Sequence, residues 1–212
     1  MKNTNKKLAI QLAIKKIKVN PFALQYVGEE LQNNLDVVFE AVNQNGYALR
    51  FASKELQNNI YIVLVAIITN PYALQFASKK LRANKDVVLA AVKNEGYALE
   101  YASKKLKNNK EFVLAVVTEN GYALKYVSKE LRANKDVVLT AVEQEGNALQ
   151  FASKELRNNE GIVLAAVTQN GEALEYASKE LQANEAIVRI AVTESSYALQ
   201  FASEEIALKL KK

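Results

Sequence analysis

The 212-residue chain has no cysteine, no histidine and no tryptophan, and its one methionine is Met1. The absence of cysteine excludes disulfides and thiolate chemistry and makes the reducing cytoplasm the expected setting. The absence of histidine removes the Ser-His-Asp and Cys-His nucleophile systems, and with them imidazole metal sites. The few glycines form no Gly-x-Gly-x-x-Gly or Walker loop. Long apolar runs are missing too. The longest, Ile60 to Ile68, is nine residues, where a membrane span needs roughly 20. The composition therefore points to a protein that is not an enzyme, holds no cofactor or metal and spans no membrane.

The net charge of +5 is not spread along the chain. Residues 1–20 carry six lysines and no acid, and residues 196–212 carry three lysines and two glutamates. The stretch between them, 21–195, holds 19 basic and 21 acidic residues. The basic excess lives at the ends, so the middle is not a broad electrostatic footprint for nucleic acid.

That middle is a repeat. Gly96 has counterparts at Pro21, Gly46, Pro71, Gly121, Gly146, Gly171 and Ser196, each 25 residues from the next without insertion or deletion. A fixed period between about 20 and 50 residues is the mark of a stacked array. Numbering each unit from this residue as column 1, column 4 is Leu in all eight copies, Leu24 to Leu199. Column 11 is Leu in seven and Ile206 in the eighth, and column 6 is always Tyr or Phe. Columns 3, 4, 7, 8 and 11 share one side of a helix, which predicts an amphipathic first helix over columns 2–11. Column 14, Asn34 to Asn184, is Asn in all seven complete units. It either caps a helix start or turns the chain through left-handed geometry. Columns 16–24, as in Asp86 to Asn94, predict a second helix that is apolar over most of its circumference and sandwiched between neighbours. The Asn-Pro pairs at 20–21 and 70–71 suit an N-cap followed by proline in the first turn, and glycine in the other copies is expected to relieve the tight turn.

The expected fold is all-α: an α-solenoid of about seven 25-residue helix-turn-helix repeats with degenerate end caps. Residues 1–212 then form one repeat domain, with 1–20 as N-terminal cap, 21–195 as seven repeats and 196–212 as a partial repeat and C-terminal cap. Leu12 to Ile17 aligns by period with Val37 to Val42 and reads as the second half of a degenerate first unit. A leucine-rich repeat has a similar period, but its Leu-x-Leu-x-x-Asn strand signature is absent. A longer period lies inside the short one. Column 13 alternates Asn58, Ala83, Asn108, Ala133, Asn158, Ala183. Growth by doubling a 50-residue pair leaves this trace, and so does deliberate design.

The recurring Gly-x-Ala-Leu-x-Tyr/Phe-Ala-Ser-x-x-Leu pattern, followed by Asn and Val-Val-Leu-x-Ala-Val, resembles the repeats called domain of unknown function 4116, over residues 21–206. The resemblance implies tandem repeats of short helices and no reaction.

Three surface features are candidates for contact with a partner. The first is the lysine row in column 9: Lys54, Lys79, Lys104, Lys129, Lys154 and Lys179. It reads either as a ladder for an acidic peptide or phosphate backbone, or as a solvated face neutralised by pairs such as Glu100–Lys104. The second is the aromatic row in column 2, with Tyr47, Tyr72, Tyr97 and Tyr122, which either grips a ligand or packs between units. The third is Tyr61, Val65 and Ile68, one apolar patch on the second helix of one unit. It is either a contact with a partner or second copy, or surface covered by the twist of the array. The column 8 serines, Ser53 to Ser203, read as small packing residues with the hydroxyl bonded to the preceding turn. The expected function is a non-catalytic repeat scaffold that holds a protein or peptide on outward columns 2, 5, 9 and 12. Single-stranded nucleic acid, one unit per nucleotide, and a structural or designed array without a partner are the alternatives.

Overall fold

A computed structural model describes residues 2–211. Among them there is no strand, and every repeat is built from helical turns. The α-helices of seven residues or more are α1 (Lys2–Val19), α2 (Leu35–Gln44), α3 (Ile60–Thr69), α4 (Lys85–Asn94), α5 (Lys110–Glu119), α6 (Lys135–Gln144), α7 (Glu160–Gln169), α8 (Glu185–Glu194) and α9 (Glu204–Leu210). Helices α2 to α8 occupy columns 15–24 of successive units. The column 14 asparagine caps each of them, its side-chain oxygen accepting the backbone N–H of column 17, as in Asn84 from Val87 at 3.0 Å and Asn109 from Phe112 at 2.8 Å. Capping is therefore the asparagine's role; no non-glycine residue among those described has positive φ.

The first helix differs from the expectation. Columns 1–6 form a six-residue 3₁₀ helix, as at Gly46–Phe51 and Gly171–Tyr176. Column 7 then leaves the helix: Ala52 has φ −69° and ψ 156°. A second short turn follows, α-helical at Glu29–Gln32, Lys104–Lys107 and Lys154–Arg157, and 3₁₀ at Leu56–Asn58, Leu81–Ala83, Leu131–Ala133 and Leu181–Ala183. The break has two causes. The column 8 serine amide is used between units, donating to the column 12 carbonyl of the unit before, as in Ser53 to Gln32 at 2.9 Å and Ser178 to Arg157 at 2.9 Å. The serine hydroxyl also caps the second turn, accepting from the column 11 amide, as in Leu81 to Ser78 at 3.2 Å. Two separate turns still bury columns 3, 4 and 11, as one continuous helix would.

The second turn follows the long period. All three alanine units have the 3₁₀ form, and three of the four asparagine units have the α form. The column 13 asparagine accepts a hydrogen bond from the serine hydroxyl of the next unit, as in Asn58 from Ser78 at 2.6 Å and Asn108 from Ser128 at 2.7 Å. The hydroxyls thus reach across to the preceding unit and forward to their own turn; they do not bond back within a helix.

By its contacts the chain divides into two compact units, Met1–Ser103 and Lys104–Lys212. In the first, α1 packs on α2, α2 on α3 and α3 on α4; in the second, α5 packs on α6, α6 on α7 and α7 on α8. Columns 17, 18 and 21 are the core of both, with Val87, Val88 and Ala91 fully buried. Column 4 fills the space beneath each 3₁₀ turn, and Leu49, Leu74, Leu99, Leu124, Leu149 and Leu174 are fully buried. Replacing one by alanine is expected to cost about 2–5 kcal/mol. Column 1 glycine serves this packing. A Cβ on Gly46 would lie 2.0 Å from the Ala66 carbonyl oxygen, and one on Gly171 would lie 2.1 Å from that of Ala191. No described glycine has positive φ, so close approach of the column 21 carbonyl of the same unit's second helix, and not relief of a turn, is what glycine supplies.

Candidate functional site

The break at column 7 moves the lysine row. Columns 9 and 12 do not lie on the first helix but on the second turn, which faces the next unit across a groove. Between the units at 46–70 and 71–95 this groove is a cavity of about 760 Å³ lined by Arg50, Lys54, Gln57, Gln75, Phe76, Ala77, Ser78, Lys79, Lys80 and Arg82. The same columns line smaller grooves in the second unit. One of about 280 Å³ lies against Lys154, Arg157, Tyr176 and Lys179. Another, of about 370 Å³, lies against Lys104, Lys107, Tyr126 and Glu130. Five of the six lysines singled out in column 9 therefore line a groove wall, and Lys129 stands in the same column.

Column 12 sets the floor and comes in two forms. Where it is glutamine, the amide donates to the carbonyls that end the 3₁₀ turn: Gln57 to Leu49 at 3.2 Å, and Gln182 to Leu174 at 3.0 Å. The glutamine oxygen then accepts from the column 9 lysine, Lys54 or Lys179, at 2.9 Å. Where it is arginine, the Nε of Arg82, Arg132 and Arg157 is buried and has no hydrogen-bond partner among the described residues. Arginine has no acceptor atom, so it cannot take the column 9 lysine as the glutamine oxygen does.

Column 10 contributes acids that serve the second turn. The carboxyls of Glu130 and Glu155 are held below their ordinary value, first by their own backbone amides and then by the hydroxyls of Ser128 and Ser153. In the unit at 71–95 this column is Lys80.

The overall balance of the repeats conceals a division of charge. In residues 21–195, columns 5, 9, 10 and 12 hold fourteen of the nineteen basic residues and eight of the twenty-one acidic ones, a net of +6. All other columns together hold five basic and thirteen acidic, a net of −8. The groove wall is positive and the outer side of the α-helices is negative.

The column 2 aromatics lie elsewhere. Tyr47 meets Phe76 edge-on at 5.8 Å between ring centroids, and Tyr72 meets Tyr101 at 6.3 Å. Tyr97 and Tyr122 are likewise half-buried. None of these four tyrosines is among the residues that line the three basic grooves. The third candidate is on the surface. Tyr61 is 55% and Ile68 70% exposed, and Val65 is half-buried. Tyr61 stacks on Phe39 of the preceding unit at 5.8 Å, which ties part of the patch into the array. Sequence reasoning placed column 12 among the outward columns but missed its role in the groove floor. The signal was present as a choice between Gln and Arg or Lys at one position, but its meaning depended on a turn placed inside what read as one helix.

These features define an all-α tandem-repeat protein of the solenoid class, with charged grooves set 50 residues apart in sequence. The chain belongs to the family described as domain of unknown function (DUF4116), whose model matches residues 10–57, 59–107, 84–132, 109–157, 134–182 and 159–207. Each match spans about two repeats, and five of them begin 25 residues apart. The family module is thus a pair of units, and successive pairs fit it. No curated protein and no solved structure matches the chain. Among the described residues, no helix is long and apolar enough to cross a membrane.

Proposed function

We propose that the protein is a non-catalytic scaffold that holds an extended acidic peptide along the basic groove wall. The observation that carries this reading is the segregation of charge: the columns that line the grooves are net positive in an array that is net negative. Within each compact unit, an acidic chain laid across neighbouring second turns of the basic columns meets lysine or arginine side chains, while the acidic helix surface repels it from other approaches. Backbone stitching between units keeps the groove walls at fixed spacing, so little ordering is required of the protein on binding. A peptide fits this wall better than single-stranded RNA does. The column 2 row that would stack successive bases is absent from the groove linings, which hold one column 6 aromatic each.

The test is fluorescence polarisation with labelled poly-glutamate and labelled oligouridylate, each at low and physiological salt. Poly-glutamate should bind the wild type and lose about tenfold or more with Lys79→Glu, Lys129→Glu and Lys179→Glu combined. Glutamate already stands in column 9 at Glu29 and Glu204, so these changes are compatible with the fold. Absence of poly-glutamate binding at low salt would overturn the reading. Tight oligouridylate binding that weakens steeply with salt would replace it with the nucleic-acid alternative.

A further inference from the structure

The grooves are not equivalent, and the one between the units at 46–70 and 71–95 is built for a more highly charged group than a carboxylate. Five of its ten lining residues are cationic (Arg50, Lys54, Lys79, Lys80 and Arg82), and none is acidic. The groove at Lys104 and Lys107 includes Glu130, and the groove at Lys154, also free of acid, is lined by three cations. Column 10, glutamate in five of the seven complete units, is lysine here, and Lys80 adds a fifth cation to the wall. This groove is also about twice the volume of the groove at Lys104 and more than twice that of the groove at Lys154.

Its two arginines are held in different ways. Arg50 lies over the rings of Phe51, at 5.1 Å, and Phe76, at 5.8 Å, which fixes the guanidinium plane without using its N–H donors on a carboxylate. Arg82 enters from the floor with its Nε buried and unpartnered among the described residues. A buried, unpaired donor on a charged group is destabilising, and glutamine in the same column of the units at 46–70 and 171–195 shows a side chain that avoids it.

We propose that this groove is an anchor for a phosphomonoester dianion carried on the bound peptide, a phosphoserine or phosphothreonine. The inference rests on the peptide-scaffold reading and adds a specific residue to the ligand. A phosphorylated side chain carries about −1.5 to −2 charges at neutral pH and three acceptor oxygens. That matches a site with two arginine forks and three ammonium groups better than a glutamate, which carries one charge. The site is local, which favours a single group of high charge density over a phosphodiester backbone with one charge per nucleotide. Acidic residues flanking it are attracted by the lysines that line the other grooves.

The experiment compares three labelled peptides of glutamate, glycine and serine that differ only at the central residue: phosphoserine, serine or glutamate. Each is titrated against the wild type, against Arg50→Gln with Arg82→Gln, and against Lys154→Glu as a change in a different groove. Glutamine is the residue of column 5 at Gln25 and Gln75 and of column 12 at Gln57 and Gln182, so the double variant uses residues the array already accommodates. Circular dichroism melts confirm that each variant is folded. The expected result is that the phosphoserine peptide binds the wild type about tenfold or more tightly than its serine twin. The double glutamine variant should abolish that advantage, and Lys154→Glu should weaken both peptides alike. Equal binding of the phosphoserine and serine peptides, or an advantage that survives in the double variant, overturns the anchor and leaves the scaffold standing. If none of the three peptides binds, both readings fall.

Discussion

Single residues in this array are repeated experiments, because each column presents one side chain in seven or eight related settings. The column 14 asparagine makes the same cap at every second helix, so Asn84→Ala should cost about 1 kcal/mol. It would be read as a lowered urea midpoint, and an unchanged midpoint would show that the cap contributes nothing. Glycine gives a sharper contrast. A Cβ on Gly171 would sit 2.1 Å from the Ala191 carbonyl oxygen, a backbone atom that cannot rotate away. Gly171→Ala should therefore destabilise by about 1–3 kcal/mol through overpacking. Gly161 lies in the first turn of α7, and the nearest atom its Cβ would meet is 3.6 Å away. Gly161→Ala should stabilise by up to about 1 kcal/mol by restricting the unfolded chain and favouring helix. Opposite shifts of the thermal midpoint in the two variants are the expected outcome. The column 14 cap was one of two roles open from sequence, and the structure selects it. The glycine's role was not legible, because the approach of the column 21 carbonyl in the same unit depends on how the second helix folds back onto the first turn.

At the scale of the element, the second turn is where sequence and structure part. The apolar spacing of columns 3, 4, 7 and 11 fits one amphipathic helix, and those columns are indeed on the inner side. What the spacing does not reveal is that column 7 is extended. A local signal was available: Ser followed three residues later by Leu, with a charged pair between, is compatible with a new N-cap. The uninterrupted periodicity outweighed it. The decisive interaction, from a serine amide to the carbonyl of the preceding unit, is non-local. The consequence for function is that columns 9 and 12 belong to a turn that faces its neighbour across a groove. The arginines of column 12 give this element a testable tension between stability and charge. Replacing Arg157 by glutamine removes a buried donor without a partner and supplies an amide placed, as in Gln182, to reach the carbonyls of columns 4 and 5. Arg157→Gln should raise the unfolding free energy by about 1 kcal/mol while weakening poly-glutamate binding. A variant that loses stability would show that the guanidinium is satisfied in solution and that the groove arginine carries no strain.

For the whole molecule, the period, the class of fold and the fully buried columns were legible because a stacked array repeats its core in every unit. The sign of the groove wall was not, because opposite charges at different columns cancel when summed along the chain. That division also bears on how the protein responds to acid. Among the described residues, four carboxyls are held below their ordinary values, and all four lie in Lys104–Lys212. Besides Glu130 and Glu155, these are Asp136, lowered chiefly by a hydrogen bond from Lys110 at 2.6 Å, and Glu185, lowered chiefly by Lys209 and then by Arg189. A carboxyl whose folded pKa is depressed stabilises the protein above its unfolded pKa, and that contribution is lost as pH falls through the folded value. The ordinary values here are 3.8 for Asp and 4.5 for Glu. The contribution is therefore complete at neutral pH and disappears on acidification below that range. Glu185 joins α8 to α9 through Lys209 and takes Arg189 on its other side, where column 19 in every earlier unit is Leu or Phe. The urea midpoint of the wild type should fall between neutral pH and about pH 3, and Glu185→Gln combined with Asp136→Asn should show a lower midpoint at neutral pH and a flatter dependence. If the double variant tracks the wild type across the whole range, these ion pairs contribute nothing to folding. The acidic columns would then act only through the field they set around the basic groove.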